Sequence, residues 1–381
     1  MRRSMIVCLL ALAGTVLAGV PEFEGRPAVV LSNGKIELTV TLSGASLANL
    51  RLLDDPTRLS PYWNPARAAR LAGGDAQGAG NAGGVLGHFL CLDGFGAPSQ
   101  EELKAGYPFH GEASSRHFEV IQSTKVGPVS SIFLATHLPL AQEFVTRTIR
   151  MVDDENVAYV ETDVESLLSI DRPISWAEHA TIGPPFLEPG EVTVDMPAGR
   201  CRVRAEKPGP VPGRLVPLQD FNWPMAPLRR GGSVSLLEFP GETSYDLASC
   251  QIDPKRTYGY VTAFHKDRHL LFGYVFRRQD FPWLMSWMNY SGNAQAARGI
   301  EFSTQPFDVS RRETLDAHEM FGAPTYKWLP AKSRMRTRFL LFYTKVPDNL
   351  TAVADVELEK GQLRIINKAG QTVALHARLP L

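Results

Sequence analysis

The chain has 381 residues, 44% hydrophobic and 21% charged, with 40 basic residues balanced by 40 acidic ones. That composition can bury a sizeable core and excludes an intrinsically disordered chain. A formal charge of zero without a basic stripe excludes the electrostatic footprint of a nucleic-acid binder, so a small, roughly neutral ligand fits better.

The first eighteen residues, MRRSMIVCLLALAGTVLA, place Arg2 and Arg3 before an apolar run that ends in small residues. This layout predicts a secretory signal peptide cleaved after Ala18, behind a Val16-x-Ala18 site, and therefore a secreted or periplasmic protein. The run falls short of the ~20 residues of a spanning helix, so no stable membrane insertion is expected after signal removal. Cys8 lacks the preceding Leu-Ala-Gly of a lipoprotein. Without Arg2 and Arg3 the chain counts 38 basic and 40 acidic residues, a charge of −2.

Further along, KIELTVTL (35–42) reads as a strand, and PTRLSPYWNPARAARLA (56–72) as a helical excursion. GAGNAG (78–83) satisfies G-x-G-x-x-G but follows LAGGDAQ rather than a strand, so it reads as a loop and not a dinucleotide fingerprint. SQEELKAG (99–106) is a second short helix, and YPFHGEAS (107–114) delivers His110 just before a glycine. Strands follow at 130–138 and 157–166, and WAEHATIGPPFLEPG (176–190) carries His179 in a strand-like run that ends in a proline-rich turn. Phe221 and Trp223 mark an aromatic rim. HKDRH (265–269), between strands 258–264 and 269–276, is a hairpin turn and not a helical metal site. FPWLMSWMNY (281–290) supplies Trp283, Trp287 and Asn289. In RGIEFSTQPFD (298–308), period two puts Glu301, Ser303 and Gln305 on one face and Ile300, Phe302 and Thr304 on the other. A strand at 336–344 and a terminal set of strands over 346–381, packed on the main body, complete the chain.

With 28 prolines and 32 glycines punctuating many short strands, the fold class is all-β, in one body spanning 19–345 with no linker that forces a second domain. Cys91, Cys201 and Cys250 allow one disulfide and one free thiol, with the pairing open, and their spacing does not match zinc. No Walker loop or G-x-S-x-G elbow is present. The sequence gives no indication of oligomeric state.

Two histidines suited to proton transfer near neutral pH and a glutamate among aromatics form a proton-exchange set: Glu301, His179 and His110. The contexts HGEA, EHATIGPPFL and RGIEFSTQPFD, with the opening strand KIELTVTLSGASLANLRL, resemble the galactose mutarotase-like (aldose 1-epimerase) superfamily from about Pro27 to Lys345, as an atypical secreted bacterial-type member. The resemblance implies a large antiparallel β-supersandwich. It also implies a sugar ligand, with Glu301 as base, His179 as acid and His110 near the ring oxygen, and no metal or nucleotide cofactor. Two departures stand out: VLGHFLCLDGFG puts His88 where many members carry a sugar-binding arginine, and Glu178 replaces the asparagine before the acid. His88, Trp283, Trp287, Asn289, Gln305 and Arg298 are the candidate substrate-binding residues, with one of the two tryptophans expected in the core.

Three function classes follow. The first is an epimerase that interconverts sugar anomers on a mono- or oligosaccharide. The second is a carbohydrate-binding protein that keeps the fold without turnover. The third is a glycan hydrolase or lyase, for which Glu112, Glu178 or Glu188 would supply the second carboxylate.

Overall fold

Alternating apolar residues become two large antiparallel sheets in a computed structural model, which describes residues 21–71, 73, 85–207, 209–292 and 295–381. The signal segment 1–18 and the GAGNAG segment lie outside these residues. One sheet has twelve strands. Its spatial order is Glu22–Phe23, Arg26–Ser32, Ile36–Thr41, Leu47–Leu52, His88–Leu92, Trp176–Ile182, Ala297–Gly299, Trp283–Tyr290, Ser244–Ile252, Ala198–Val203 and Asp220–Asn222; Glu301–Ser303 also pairs with Trp176–Ile182 and Trp283–Tyr290. The other has eight: Val192–Asp195, Tyr258–His265, Leu270–Arg277, Arg334–Lys345, Val157–Ser166, Glu143–Val152, Val129–Leu138 and Glu119–Val126. The order jumps along the sequence at the centre of the larger sheet, and that is where distant segments become neighbours.

The main core lies between the sheets. Phe302 from the larger sheet stacks on Phe276 of the smaller one at 4.3 Å and meets Phe339 edge-on at 5.3 Å. Each fully buried side chain of this kind contributes about 1.5–3 kcal/mol. The strand Leu270–Arg277 of the smaller sheet is buried on both faces, which explains the near-continuous apolar run HLLFGYVF. Leu341 and Tyr343 face the larger sheet, whereas Leu340 and Phe342 pack with Val356, Leu363 and Ile365. Those last residues belong to a three-stranded sheet formed by Val353–Glu359, Gln362–Asn367 and Thr372–His376.

Two helical expectations shrink. Helix 56–72 becomes Pro65–Leu71, because the preceding residues bond to the sheet instead: Tyr62 bridges Ile182, and the Trp63 N–H donates to the Thr181 carbonyl at 3.0 Å. The helix expected at 99–106 is Gln100–Lys104, started by a reciprocal Ser99–Glu102 capping box. A further helix, Arg311–Ala317, carries the same device in Ser310 and Glu313. The HKDRH segment is the turn between Tyr258–His265 and Leu270–Arg277. Cys201 and Cys250 face each other on adjacent strands and form the disulfide, which leaves Cys91 as a buried thiol.

Candidate functional site

The outward face of the larger sheet carries a cavity of about 760 Å³, within the range of small-molecule sites. Strand register builds it. His179 pairs with Phe89, and Glu301 pairs with Met285, so these four side chains share one face. Phe302 and Glu178 point the opposite way, into the core. His110 comes from a loop at φ 65°, in the left-handed region, and is followed by Gly111 at φ 77°. Glycine is required there, because a Cβ on Gly111 would lie 2.1 Å from the Leu92 carbonyl oxygen. Gly299 matters in the same way: a Cβ would lie 2.1 Å from Glu301 Oε1, so the absent side chain is what lets the carboxyl group lie where it does.

Glu301, His179 and His110 thus line one cavity. Glu301 Oε1 lies 3.6 Å from His179 Nε2, and the two imidazoles meet edge to face with centroids 5.0 Å apart. His179 also stacks on Phe89 at 4.3 Å and packs edge-on against Trp287. Its Nδ1 is 3.0 Å from Thr181 Oγ1. His110 Nδ1 accepts the Gly96 N–H at 3.2 Å, which leaves Nε2 to carry the proton of the neutral ring.

Burial dominates the electrostatics. Loss of solvent, reinforced by the negative charge of Asp308, pushes the Glu301 carboxyl well above the ordinary glutamate range, against the pull of Arg204 and Lys207. Burial also drives His179 well below its ordinary value, with His110 adding to the shift, and lowers His110 to about 4 despite Asp308. Asp308 behaves differently. Burial alone would raise it, but Arg204 and Lys207 leave it below the usual aspartate value. Lys207 Nζ sits 2.7 Å from Asp308 Oδ2, and Arg204 Nη2 contacts Oδ1. The free site therefore holds a fixed carboxylate in Asp308 and a second carboxyl, Glu301, whose environment resists charge.

Four of the candidate binding residues lie elsewhere. His88 faces the core, where its Nε2 meets Glu178 at 2.7 Å and its Nδ1 meets Tyr274 OH at 3.0 Å. Its neighbour Phe89 takes the cavity position, since one residue along a strand reverses the face. Arg298 is also buried on the core side and donates to Tyr290 OH at 2.6 Å and to the Leu236 carbonyl at 2.7 Å. Gln305 lies past the end of the strand at Ser303 and turns inward, its Oε1 accepting the Trp176 N–H at 3.1 Å. Trp283 shares the strand face of Trp287 but is capped by Phe321, and its Nε1 donates to the Pro324 carbonyl. Trp287 and Asn289 do line the cavity, whereas Phe221 and Trp223 do not. Of the carboxylates weighed for hydrolysis, Glu178 is in the core, Glu112 accepts the Ala141 N–H, and Glu188 stands beside His265; none lines the cavity.

The sequence reading missed Trp63, Phe95, Phe109, Arg204, Tyr245 and Asp308, all of which line the cavity. Asp308 ends the very stretch that carries Glu301, and Arg204 stands in the basic run CRVRAEK; neither has a local signature of a site. Among the described residues no group of three or more His, Cys, Asp or Glu is arranged to hold a metal ion. No helix of the described residues is long and apolar enough to cross a membrane.

No family model and no curated protein matches the chain. Solved structures do. A galactose mutarotase-like protein from Clostridium acetobutylicum superposes with a TM-score of 0.59 at 12% identity, over 85% of this chain and 96% of the other. A candidate aldose 1-epimerase from Klebsiella pneumoniae gives 0.59 at 13% identity, over 85% and 81%. A galactose mutarotase-like protein from Lactobacillus casei gives 0.52 at 14% identity, over 83% and 100%. The chain therefore has the galactose mutarotase-like fold, a β-sandwich of large antiparallel sheets. At these identities the likeness establishes architecture, while function rests on the site.

Proposed function

We propose that the chain is a mutarotase-like epimerase that interconverts the anomers of a mono- or oligosaccharide. The observation that carries this reading is the meeting of Glu301, His179 and His110, from three distant segments, on one aromatic-lined cavity. Anomer exchange needs a proton removed from the C1 hydroxyl and one delivered to the ring oxygen. The C1–O bond of the ring then opens to a carbonyl, the C1–C2 bond rotates, and the steps reverse. Glu301 as carboxylate takes the hydroxyl proton, His179 Nε2 supplies the ring-oxygen proton, and neutral His110 donates a hydrogen bond beside it. Each acid or base typically contributes about 10²–10⁴ in rate. Phe89, Trp63 and Trp287 offer apolar faces for the sugar ring, and Asp308 and Asn289 offer partners for its hydroxyls.

The scheme uses Glu301 ionised and His179 protonated, whereas burial favours the uncharged arrangement of both, so the two titrate as a pair. Secretion through the segment 1–18 into an oxidising compartment is part of the proposal, and the Cys201–Cys250 bridge supports it. The test is polarimetry on freshly dissolved α-anomers of neutral, amino and uronic sugars. Acceleration is expected with the native chain, and loss of at least about 100-fold with Glu301→Gln, while calorimetric sugar binding persists. Binding without acceleration on any sugar would favour a carbohydrate-binding protein on this fold instead.

A further inference from the structure

The imidazole of His179 is held by something more specific than packing. Thr181 lies two residues along the same strand, hence on the same face, and places Oγ1 3.0 Å from Nδ1. Its side chain is fully buried, and among the described residues Oγ1 has no other hydrogen-bond partner. Threonine is also stiff at χ1, so the hydroxyl has a defined position rather than a range of them. A half-turn of the imidazole would bring a ring C–H to this hydroxyl and forfeit the bond, which gives the ring one preferred orientation inside the clamp of Phe89, His110 and Trp287.

We propose that Thr181 is a positioning residue: its hydroxyl fixes His179 through Nδ1, so that Nε2 is the nitrogen that holds the exchangeable proton toward Glu301 and a bound sugar. The geometry stands alone; the catalytic use rests on the epimerase reading. In the neutral ring the Thr181 hydroxyl donates to Nδ1 and the ring proton sits on Nε2, an arrangement that satisfies both buried groups. The other tautomer would leave a buried hydroxyl proton without an acceptor. When the ring takes up a second proton from solvent at Nδ1 and Glu301 releases its own to solvent, the hydroxyl rotates and its oxygen accepts from Nδ1–H, so Nε2 still has a proton to give. After that proton passes to the sugar ring oxygen, Nε2 is bare and can take it back on ring closure. A hydroxyl follows both states without adding a charge behind the imidazole.

The decisive measurement is long-range ¹H–¹⁵N spectroscopy of the imidazoles in the full protein, the His179 signals being assigned by their loss in His179→Asn. In the native chain the neutral ring is expected as the Nε2–H tautomer with Nδ1 accepting. Thr181→Ser should retain that pattern, whereas Thr181→Val should shift the ring toward a tautomer mixture. With an accelerated sugar in hand, Thr181→Val should lower kcat roughly 10–100-fold with little change in KM. Serine should restore it. A native Nδ1–H tautomer, or a valine spectrum identical to the native one, overturns the proposal. Thr181→Ala, which removes the hydroxyl without adding bulk, should behave like valine; if neither variant folds, Thr181 is a packing residue and the proposal fails. Because the spectrum is recorded without ligand, the expected tautomers with a silent polarimeter would sink the epimerase reading and leave the assignment of Thr181 standing.

Discussion

Glu301 is 3% exposed, and no described side chain donates it a hydrogen bond; this is how a carboxyl is kept ready for proton exchange, and it has a cost in stability. The unfolded chain releases this proton near pH 4.5, whereas burial and Asp308 make the folded chain hold it to higher pH. Between those two values the unfolded state binds fewer protons, so stability contributed by Glu301 is fully present below 4.5 and is lost as pH rises through the folded-state value. Glu301→Gln cannot titrate. Its urea midpoint relative to the native chain should therefore climb as pH rises above 4.5, even as turnover disappears. A difference that stays flat with pH would mean that Glu301 is not held uncharged in the folded state. His110 and His179 act in the opposite pH direction: their folded-state values lie below the ordinary histidine value of 6.5, so the stability they contribute is lost as pH falls below it. Including His110→Asn as a second comparison separates the two trends.

The Trp176–Ile182 strand has two chemically different faces. His179 looks into the cavity, while Glu178, one residue away, is paired in the core by Arg147 of the opposite sheet, with Nη1 3.2 Å from Oε1 and Nη2 3.0 Å from Oε2. Burial would raise Glu178, yet Arg147 and His88 hold it at about 2. Its stabilisation is therefore present above the ordinary 4.5 and is lost as pH falls toward about 2. Arg147→Leu leaves a buried carboxylate without its main partner and should cost about 3–5 kcal/mol in urea unfolding near neutral pH. Adding Glu178→Leu should recover part of that loss, because the stranded charge is gone; a double variant less stable than the single one would contradict this account. The same strand shows what alternation can and cannot reveal. Glu301 was legible because its stretch alternates cleanly between polar and apolar residues. His88 was not, since VLGHFLCL is apolar on both faces and only the pairing of Phe89 with His179 fixes which side faces out. Gln305 leaves the sheet after Ser303, so period two carried too far misplaced it, whereas Arg298 falls by period two on the side of Ile300 and Phe302 and does lie on the core side of a three-residue strand.

At the scale of the whole molecule, the all-β class was legible because strand residues and turn residues alternate along nearly the entire chain. The convergence of Arg204 with Asp308 was not, because no local pattern records a neighbour a hundred positions away. The cysteines illustrate the point: three thiols left the pairing open, and the sheet order decided it by setting the Cys201 strand beside the Cys250 strand. That bridge closes a segment of 49 residues which contains Arg204, Lys207, Tyr245 and Leu247, so it ties down much of one cavity wall. A loop of this length gives about 4 kcal/mol in the chain-entropy account, and removal of native disulfides from small secreted domains typically costs about 2–5 kcal/mol. Reduction, or the paired change Cys201→Ala with Cys250→Ala, should therefore lower the urea midpoint, and the double variant should then be indifferent to reductant. Cys91, buried against Phe89 and Met285, should resist alkylation in the native chain and react only on unfolding, which provides an internal gauge of the folded fraction. Sugar binding measured alongside separates local from global effects. If the bridge chiefly holds the cavity wall, affinity should fall at urea concentrations where Cys91 is still protected; if affinity and protection vanish together, the bridge stabilises the sandwich as one cooperative unit.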